Sequence, residues 1–267
     1  MTKAAKGETV LITGGSSGIG YAIANEFALQ GYRLILVSNQ EERLKEVAGE
    51  FKKKYNTETR TLFMDLAAPD AAFKLYDWCL NEQFQVDILV NNAGIFFFEE
   101  VVETGGAKAR DIMALHVSTP ALLCALFGKD MKQRRSGNII IISSLAAYMP
   151  YPGIALYAAT KRFLKSFARS LRSEMLDYNV NVTCICPGAV STDLYNLSEG
   201  NRKIAINTGI MMRPEKLAQK IVSAMSGRKP LVVPGLLNKI SLFFLFIVPQ
   251  GFVVLVRRYS RFLPPDK

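Results

Sequence analysis

The sequence reads Thr9-Val10-Leu11-Ile12-Thr13-Gly14-Gly15-Ser16-Ser17-Gly18-Ile19-Gly20, an apolar run that ends in a glycine-rich turn and leads into an amphipathic segment. Glycines let the backbone turn tightly and approach a pyrophosphate, whose charge meets free amides and the positive end of a helix. The spacing is Gly-x3-Gly-x-Gly and not the better-known Gly-x-Gly-x2-Gly, but the physical logic is the same. The stretch therefore predicts a strand, a dinucleotide-binding turn and a helix.

Short apolar runs alternate with amphipathic ones along the rest of the chain. The short runs are rich in Val and Ile and nearly continuous in hydrophobicity, as parallel strands covered on both faces should be. We predict strands at Thr9–Thr13, Arg33–Ser38, Thr59–Met64, Asp87–Asn91, Asn138–Ser143, Val180–Cys186 and Leu231–Val233. We predict helices at Gly18–Gln30, Glu41–Tyr55, Asp70–Glu82, Ala107–Arg134, Ile154–Asp177 and Pro214–Ser226.

This alternation predicts right-handed crossovers and an α/β fold with one doubly wound, parallel, seven-stranded sheet, a Rossmann fold. No repeat, linker or low-complexity stretch divides the sequence. We expect a single dinucleotide-binding domain over residues 1–235, which also carries the catalytic site, and an apolar C-terminal extension over residues 236–267.

The composition narrows the class of protein. Of the 267 residues, 49% are hydrophobic, enough for a sizeable core. The net charge is +10, which we interpret either as solvated helix faces or as attraction for an anionic partner, a phosphorylated cofactor or an acidic membrane surface. The basic stretches lack interleaved exposed aromatics, so no nucleic-acid partner is expected.

The remaining totals bear on metals and on location. A single histidine, His116, argues against a histidine-based metal centre, and no metal is expected. The four cysteines lie in apolar contexts and are interpreted as small buried hydrophobes in a reducing compartment. Because no apolar signal segment precedes the first strand, we expect a cytoplasmic protein, with any membrane contact on the cytoplasmic face.

The C-terminal extension is strongly apolar between residues 240 and 256, but Pro249-Gln250-Gly251 interrupts it. Neither half approaches the about 20 residues that a spanning helix needs. Lys239 and Arg257-Arg258 flank the segment, as expected where cations reach lipid headgroups. We expect peripheral membrane contact through residues 240–258; a subunit interface or a flap over the substrate cleft are the alternatives.

A second constellation is Tyr157-x3-Lys161, with Ser144 upstream at the end of a predicted strand. Residues four apart share a helix face, so the ammonium would lie beside the phenol. A nearby positive charge favours phenolate and moves the pKa of a tyrosine, ordinarily about 10, toward working pH. A surface Tyr–Lys pair arises by chance in many helices, but the upstream Ser144 and the glycine-rich turn make chance a poor explanation here.

These motifs together resemble the short-chain dehydrogenase/reductase family, in its compact single-domain branch. The resemblance runs from about Glu8 to Val233 and includes Asp65-Leu66, Asn91-Asn92-Ala93-Gly94 and Pro187-Gly188. It implies that a pyrophosphate is surrounded by Gly14, Ser16, Ser17, Gly18, Ile19 and Gly20. It also implies that Asp65 and Leu66 contact the adenine, and that Asn91, Ala93 and Gly94 line the adenosine ribose and stabilise the central strand. The residues implied to close over the nicotinamide are Pro187, Gly188, Val190 and Thr192.

The activity implied by the resemblance is nicotinamide-dependent interconversion of a ketone and a secondary alcohol. Tyr157 would exchange the proton with the substrate oxygen and Ser144 would steady the developing oxyanion. Lys161 would lower the pKa of the phenol and hold the nicotinamide ribose. His116 stands where the family usually has a fourth catalytic residue, Asn, whose backbone carbonyl holds a water in the proton relay; a histidine can offer that carbonyl, relay protons itself or be merely structural.

Cofactor choice depends on the end of the second strand. Sites that select NAD commonly place an acid here for the ribose 2′-hydroxyl, and neither Ser38 nor Asn39 is acidic. The arginine typical of NADP users is absent too, but both side chains can donate hydrogen bonds to a 2′-phosphate. We therefore favour NADP(H) over NAD(H).

The segments predicted to flank the site are apolar. The segment after Thr192 is placed as a substrate lid and runs through Ile204, Ile206, Ile210, Met211 and Met212, with Met149-Pro150-Tyr151-Pro152 opposite. They favour a lipophilic ketone or alcohol, although ordinary covering loops have the same composition. Similar sequences with apolar C-terminal extensions include reductases of 3-ketoacyl chains, 3-ketosphinganine and steroids.

Two other functions are compatible with parts of the sequence. A catalytically silent NADP-binding sensor or scaffold is disfavoured because Ser144, Tyr157 and Lys161 are all present. A nucleotide-sugar epimerase shares the Tyr-x3-Lys pair but carries a longer C-terminal sugar domain, for which residues 236–267 leave no room. The family resemblance also implies a homodimer through two long helices, where Leu122, Leu123, Leu126, Phe163 and Phe167 suit either a dimer contact or an internal core.

Overall fold

The computed structural model of the protein describes residues 7–149, 151–192 and 199–245. Its strands are β1 (Thr9–Thr13), β2 (Arg33–Ser38), β3 (Thr59–Phe63), β4 (Ile88–Asn91), β5 (Gly137–Ile142), β6 (Val180–Ile185) and β7 (Leu231–Val232). All pair in parallel, in the order β3-β2-β1-β4-β5-β6-β7. The predicted fold class is confirmed, and every predicted strand boundary falls within one residue of the observed one.

Burial along the strands follows from their place in the sheet. Every residue of β1, β4 and β6 is buried, because helices cover both faces of a parallel sheet. The edge strand β3 has only half-buried and exposed positions. The continuous apolar runs in the sequence thus mark the strands nearest the centre of the sheet.

Two apolar layers hold the helices to the sheet. The helices are α1 (Gly18–Leu29), α2 (Glu41–Tyr55), α3 (Ala71–Asn81), α4 (Gly106–Met113), α5 (Thr119–Arg134), α6 (Ala155–Met175), α7 (Glu199–Asn207), α8 (Pro214–Ser226) and α9 (Leu236–Leu245). Successive strand residues point to opposite faces, so Ile12 packs with α1, α2 and α8 whereas Leu11 packs with α3, α5 and α6. All four cysteines are buried in the second layer.

The structure differs from the predicted helices in three places. The stretch predicted as one helix, Ala107–Arg134, contains a π-helical turn at Ala114–Ser118 between α4 and α5. The helix predicted over Ile154–Asp177 is α-helical only over Ala155–Met175 and ends in a 3₁₀ turn. Helices α7 and α9 were not predicted, since the nearly continuous apolar run of α9 hides any helical periodicity.

The chain order places a crevice at the centre of the sheet. From β1 the chain proceeds through β2 and β3 on one side, and then returns to place β4 on the other side of β1. At such a reversal the connections after neighbouring strands diverge and leave a crevice at the carboxyl ends of the strands, where open α/β sheets bind ligands. The glycine-rich turn after β1 and Asn91-Asn92 at the end of β4 meet there.

One helical stretch of the described residues, Gly106–Arg134, is long and apolar enough to cross a membrane by length and composition, with a mean hydropathy of 1.5 in its most apolar window. Its residues Leu123, Cys124, Phe127 and Met131 are buried in the second apolar layer. A core helix of this kind passes the same test of composition, so the stretch is weak support for a membrane span.

Candidate active site

Two adjoining clefts occupy the crevice and share Ile19, Asn92, Gly94, Ile95 and Thr192 as lining residues. The larger cleft holds about 1060 Å³ of open space and reaches from the glycine-rich turn to the ends of β2 and β3. The smaller one holds about 500 Å³ and contains the predicted catalytic residues. Together they form one elongated groove with two chemically different ends.

The glycine-rich turn has no room for side chains. A Cβ on Gly20 would lie 1.9 Å from the carbonyl oxygen of Gly14, and Gly18 has a φ of +54°, in the left-handed region that favours glycine. Ser17 precedes α1 and, among the described contacts, makes no side-chain hydrogen bond to the helix N-terminus. The first amides of α1 are therefore left for a ligand, which fits the pyrophosphate of a dinucleotide.

A hydrogen-bond network around Thr13 joins β1 to β4 beneath this turn. The Thr13 hydroxyl donates to the Val90 carbonyl and accepts from the backbone amides of Asn92 and Ala93. The Asn92 side-chain amide donates in turn to the carbonyls of Thr13 and Gly14, at 2.9 and 3.3 Å. The network fixes the turn against the neighbouring strand, so the protein's own hydrogen bonds hold the cradle in place.

The end of β2 closes the larger cleft with polar side chains. The hydroxyls of Ser16 and Ser38 lie 2.8 Å apart, and the Ser16 hydroxyl donates to Gln40 Oε1 at 2.8 Å. Asn39 and Gln40 line the same cleft. The side chains around the predicted ribose position are thus neutral hydrogen-bonding groups.

Asp65 and Leu66 line the larger cleft after β3, together with Ala93 and Gly94. Asn91 lies elsewhere: it is buried behind the groove, where its side-chain amide contacts the Cys124 sulfur at 3.2 Å. Its neighbour Asn92 lines the groove instead. The doubled asparagine in the sequence was the available signal, and the sequence reasoning assigned the ribose contact to the first of the pair.

Ser144, Tyr157 and Lys161 all line the smaller cleft. Ser144 follows β5 and its Oγ accepts a hydrogen bond from the Ala146 amide, which leaves its proton available to donate. Tyr157 and Lys161 lie one turn apart in α6, with the ammonium nitrogen 5.7 Å from the centre of the phenol ring. Thus a hydroxyl, a phenol and an ammonium, from two separate elements, meet at one surface.

Lys161 is an unusual side chain for a protein interior. It is 5% exposed, and its Nζ donates to the Ile142 carbonyl at the end of β5, at 3.1 Å. Burial lowers the pKa of the Lys161 ammonium to about 8, because removal from water disfavours the charged form. The Ser143 hydroxyl donates to the Lys161 carbonyl and ties this turn of α6 to β5.

Both ring nitrogens of His116 are engaged within the fold. Nε2 accepts from the Ile95 amide at 3.0 Å, and Nδ1 lies 3.0 Å from the Thr160 hydroxyl. Thr160 donates its own proton to the Tyr157 carbonyl, so Nδ1 is assigned as the donor to Thr160. Burial and the Lys161 charge hold the pKa of His116 well below its usual value, and the ring is therefore a neutral brace between the loop after β4 and α6.

The π turn leaves the main chain at His116 without its ordinary donor. The residue that would donate to the His116 carbonyl in an α-helix is Pro120, which has no N–H. The Thr119 amide reaches back five residues to Ala114. This wider register is the feature of the site that the helical periodicity of the sequence did not reveal.

The loop after β6 forms the far wall of the smaller cleft through Pro187, Gly188, Val190 and Thr192. Thr192 approaches the glycine-rich turn, with its Cγ2 3.3 Å from where a Cβ on Gly18 would lie. A Cβ on Gly188 would lie 2.3 Å from the Asn238 side chain, so the first turn of α9 packs directly on this loop.

Aromatic rings border the catalytic side chains. The Phe96 ring packs edge-on against Tyr157 with centroids 5.0 Å apart, and Phe98 lies 6.4 Å from Tyr151. The Phe96-Phe97-Phe98 run was not singled out in the sequence, although three consecutive aromatics after a strand are an apolar signal. Of the predicted lid, Ile204 and Ile210 are exposed but Met211 is buried, and Met212 pairs with Val190. Residues 193–198 and Pro150 lie outside the described residues.

Comparison with known proteins agrees with this architecture. The family model for short chain dehydrogenases matches residues 8–202. Dehydrogenase/reductase SDR family protein 7-like of Drosophila melanogaster is 32% identical over 255 residues, which cover 91% of this chain and 78% of that protein. Very-long-chain 3-oxoacyl-CoA reductase of Rattus norvegicus is 31% identical over 193 residues, 70% of this chain and 61% of that protein.

Among solved structures, L-sorbose reductase from Gluconobacter frateurii in complex with NADPH and L-sorbose is 30% identical, with a TM-score of 0.78 over 89% of this chain and 99% of that one. Both the groove and these relatives fit a nicotinamide cofactor and a small-molecule substrate. The chain belongs to the short-chain dehydrogenase/reductase family and is an oxidoreductase that acts on the alcohol–carbonyl couple with a nicotinamide cofactor.

Proposed function

We propose that the protein is an NADP(H)-dependent reductase of lipophilic ketones, with Tyr157 as the proton donor in reduction and the acceptor in oxidation. The observation that carries the proposal is the convergence of Ser144, Tyr157 and Lys161 on one cleft that continues into the glycine-rich cradle. When bound, the reduced nicotinamide would supply the hydride. The remaining work falls to this chain's own side chains.

Each of the three residues has one task in the proposed reaction. The Tyr157 hydroxyl gives its proton to the substrate oxygen as negative charge develops there, and Ser144 donates a hydrogen bond to the same oxygen. Lys161 uses one N–H for the Ile142 carbonyl, which leaves two for the cofactor ribose and for a relay of protons to Tyr157. The His116 carbonyl, which has no α-helical donor, is the proposed holder of the relay water.

The preference for NADP(H) is proposed from the end of β2. Ser38, Asn39 and Gln40 line the larger cleft at the end of β2, none of them is acidic, and their side chains can donate to a 2′-phosphate. An acid at this position would repel the phosphate and accept from a 2′-hydroxyl. The solved relative that binds NADPH is consistent with this choice.

A lipophilic substrate is proposed from the walls of the smaller cleft and its mouth. Phe96, Phe98 and Tyr151 supply an apolar surface beside Tyr157, and a relative acts on very-long-chain 3-oxoacyl-CoA. Another relative is an L-sorbose reductase, so a small polar ketone is the alternative against which this proposal is tested.

The test is a panel of ketones of increasing apolar length, with NADPH and NADH measured separately. We expect kcat/KM to rise with chain length and to be higher with NADPH, since each buried methylene contributes about 0.8 kcal/mol of binding. A preference for L-sorbose or other small polar ketones would overturn the lipophilic assignment. Equal kcat/KM with the two cofactors would overturn the NADP(H) assignment alone.

Three broader features are also proposed here. The division into a domain over residues 1–235 and an extension from residue 236 agrees with the start of α9 at Leu236. Peripheral membrane contact through residues 240–258 is supported by the exposed Ile240, with Leu236 and Leu237 exposed just before the segment. The cytoplasmic location is proposed from the sequence alone. Residues 246–258 of that segment lie outside the described residues. A homodimer through α5 and α6 is supported by the exposed Leu122 and Phe163, whereas Leu123 belongs to the core.

A further inference from the structure

A cleft beside α9 collects four lysines. It holds about 1050 Å³ of open space between α8, β7 and α9. Lys216 and Lys220 lie one turn apart on α8, Lys229 lies in the connection to β7, and Lys239 lies on α9. Three separate segments thus bring positive charge to one concave surface.

This charge is not neutralised within the part of the chain that the structure describes. No ion pair there involves any of the four lysines, whereas Lys45 on α2 lies within 3.0 Å of both Glu41 and Glu42. Like charges held in one cleft repel each other, and a bound anion relieves that repulsion. The cleft is therefore complementary to a negatively charged ligand.

The surface beside the lysines is apolar and exposed. Leu236 is 74% exposed on the first turn of α9, and Leu237 and Ile240 follow it at 47% each. Ile210, 63% exposed, lies next to Gly209, whose position contacts the Leu237 side chain. Exposed aliphatic residues beside unpaired lysines are the pattern by which a helix lies in the interface of an anionic bilayer.

We propose that this lysine cleft binds the phosphate headgroups of anionic phospholipids, while Leu236, Leu237 and Ile240 contact the acyl region. The inference deepens the proposed membrane contact and rests on it, but it does not require a lipophilic substrate. Asn238, between these residues, packs on Gly188. The docked surface therefore adjoins the loop that walls the catalytic cleft, and a ketone dissolved in the bilayer would reach the site from that side.

The experiment is co-sedimentation of the full chain with phosphatidylcholine vesicles, with and without phosphatidylglycerol, in the absence of ketone and cofactor. We expect tighter binding to the anionic vesicles. The variant Lys216→Gln/Lys220→Gln/Lys229→Gln/Lys239→Gln should lose that preference by at least about 30-fold, since each lysine near an anionic leaflet contributes several-fold. Its binding to neutral vesicles should not change.

A matched control removes the same charge from another face. Lys52→Gln/Lys53→Gln/Lys54→Gln/Lys74→Gln alters exposed lysines of α2 and α3 and should retain the anionic preference. Leu236→Ser/Ile240→Ser should weaken binding to both kinds of vesicle. Reduction of a water-soluble ketone by each variant verifies that it is folded.

Three results would overturn the inference. They are equal loss of anionic binding in the two lysine variants, absence of any anionic preference in the unaltered protein, and displacement from vesicles by glycerol 3-phosphate at concentrations that bind the free protein, which would indicate a soluble ligand. A failure of the lipophilic-ketone proposal would leave the vesicle result intact, because the binding assay contains no substrate.

Discussion

The two ends of the groove are built on opposite energetic principles. At the cofactor end, Thr13 and Asn92 satisfy the polar groups beneath the glycine-rich turn, and the cradle is stabilised by its own hydrogen bonds. At the catalytic end, a buried ammonium at Lys161 has one carbonyl partner and a pKa lowered to about 8. The cofactor end therefore contributes to the stability of the fold, whereas the buried ammonium at the catalytic end lowers it.

Cofactor binding and proton transfer therefore have different structural requirements, and the two ends of the groove meet them separately. A dinucleotide needs a rigid surface of fixed amides, which a satisfied network supplies. Proton transfer needs a group whose pKa lies near working pH, which burial supplies by destabilising the charged form. Substitutions at the first end should therefore harm stability and cofactor binding together, whereas those at the second should separate activity from stability.

The largest expected effect is at the catalytic end. Tyr157→Phe removes the proposed proton donor and retains the ring that packs on Phe96. We expect kcat to fall by about 10³-fold or more, since positioned acid catalysis contributes roughly 10²- to 10⁴-fold. The affinity for NADPH, measured by fluorescence titration, should change less than about threefold, because the lost hydroxyl acts in proton transfer and not in cofactor binding. Unchanged turnover would show that Tyr157 is not the proton donor. The comparison between the two ends of the groove would then fail as well.

Gly20→Ala is the corresponding change at the cofactor end. Its Cβ would lie 1.9 Å from the Gly14 carbonyl oxygen, so the turn must open, and we expect a loss of about 3 kcal/mol in the free energy of unfolding with loss of NADPH binding. Gly49→Ala on α2 is the control, because nothing lies within 4 Å of its added Cβ; it should stabilise by about 0.5–1 kcal/mol. A stable Gly20→Ala protein that still binds NADPH would contradict the rigid cradle.

Lys161→Met should separate the two properties most clearly. We expect activity to be lost while the free energy of unfolding at pH 7 stays constant or rises by up to about 2 kcal/mol, because a lowered lysine pKa costs about 1.4 kcal/mol per pH unit. The lost bond to the Ile142 carbonyl offsets part of the gain. Chemical denaturation measures both proteins. A large destabilisation would mean that the ammonium stabilises the fold after all.

The lowered pKa of Lys161 should make both stability and activity depend on pH. Its folded-state pKa of about 8 lies below the value of about 10.4 for an exposed lysine, so the unfolded chain binds more protons between these values and the stability contributed by this group rises with pH in that window. Activity should move in the opposite direction and fall as pH rises through about 8, where the ammonium loses its proton. Lys161→Met should lack this rise in stability with pH. A rate of the unaltered enzyme that does not change through about pH 8 would contradict the assignment.

The smallest expected effect on activity is at His116. His116→Asn cannot brace both Ile95 and Thr160 as the ring does, so we expect about 2–3 kcal/mol less stability but activity within about tenfold, because the main-chain carbonyl is retained. Thr160→Val is a control that removes the acceptor of Nδ1 away from the groove. A loss in kcat as large as that of Tyr157→Phe would show that the His116 imidazole itself takes part in the proton relay.

The sequence predicted the sheet closely because buried parallel strands are continuous apolar runs. It indicated Tyr157, Lys161 and Ser144 only through the combination of the Tyr-x3-Lys spacing with the upstream serine and the glycine-rich turn. The three residues do line one cleft, and their catalytic roles stay a prediction. It did not distinguish Asn91 from Asn92, since adjacent residues at a strand end differ only in the face they occupy. The π turn at Ala114–Ser118 was hidden because one shifted hydrogen bond leaves the apolar pattern almost unchanged. Helix α9 was not predicted because seven of its ten residues are apolar, which obscures the helical periodicity.

Pro120, and not the side chain of His116, determines whether the His116 carbonyl has an α-helical donor. The α-helical donor to the His116 carbonyl is missing because the residue four positions downstream is an imino acid that has no N–H, so a change of side chain at position 116 leaves this property of the main chain as it is. A survey of related sequences that looks only for Asn at position 116 would count this protein as lacking the fourth catalytic residue. The more informative position in such a survey is 120, where any ordinary amino acid would bring back the missing amide.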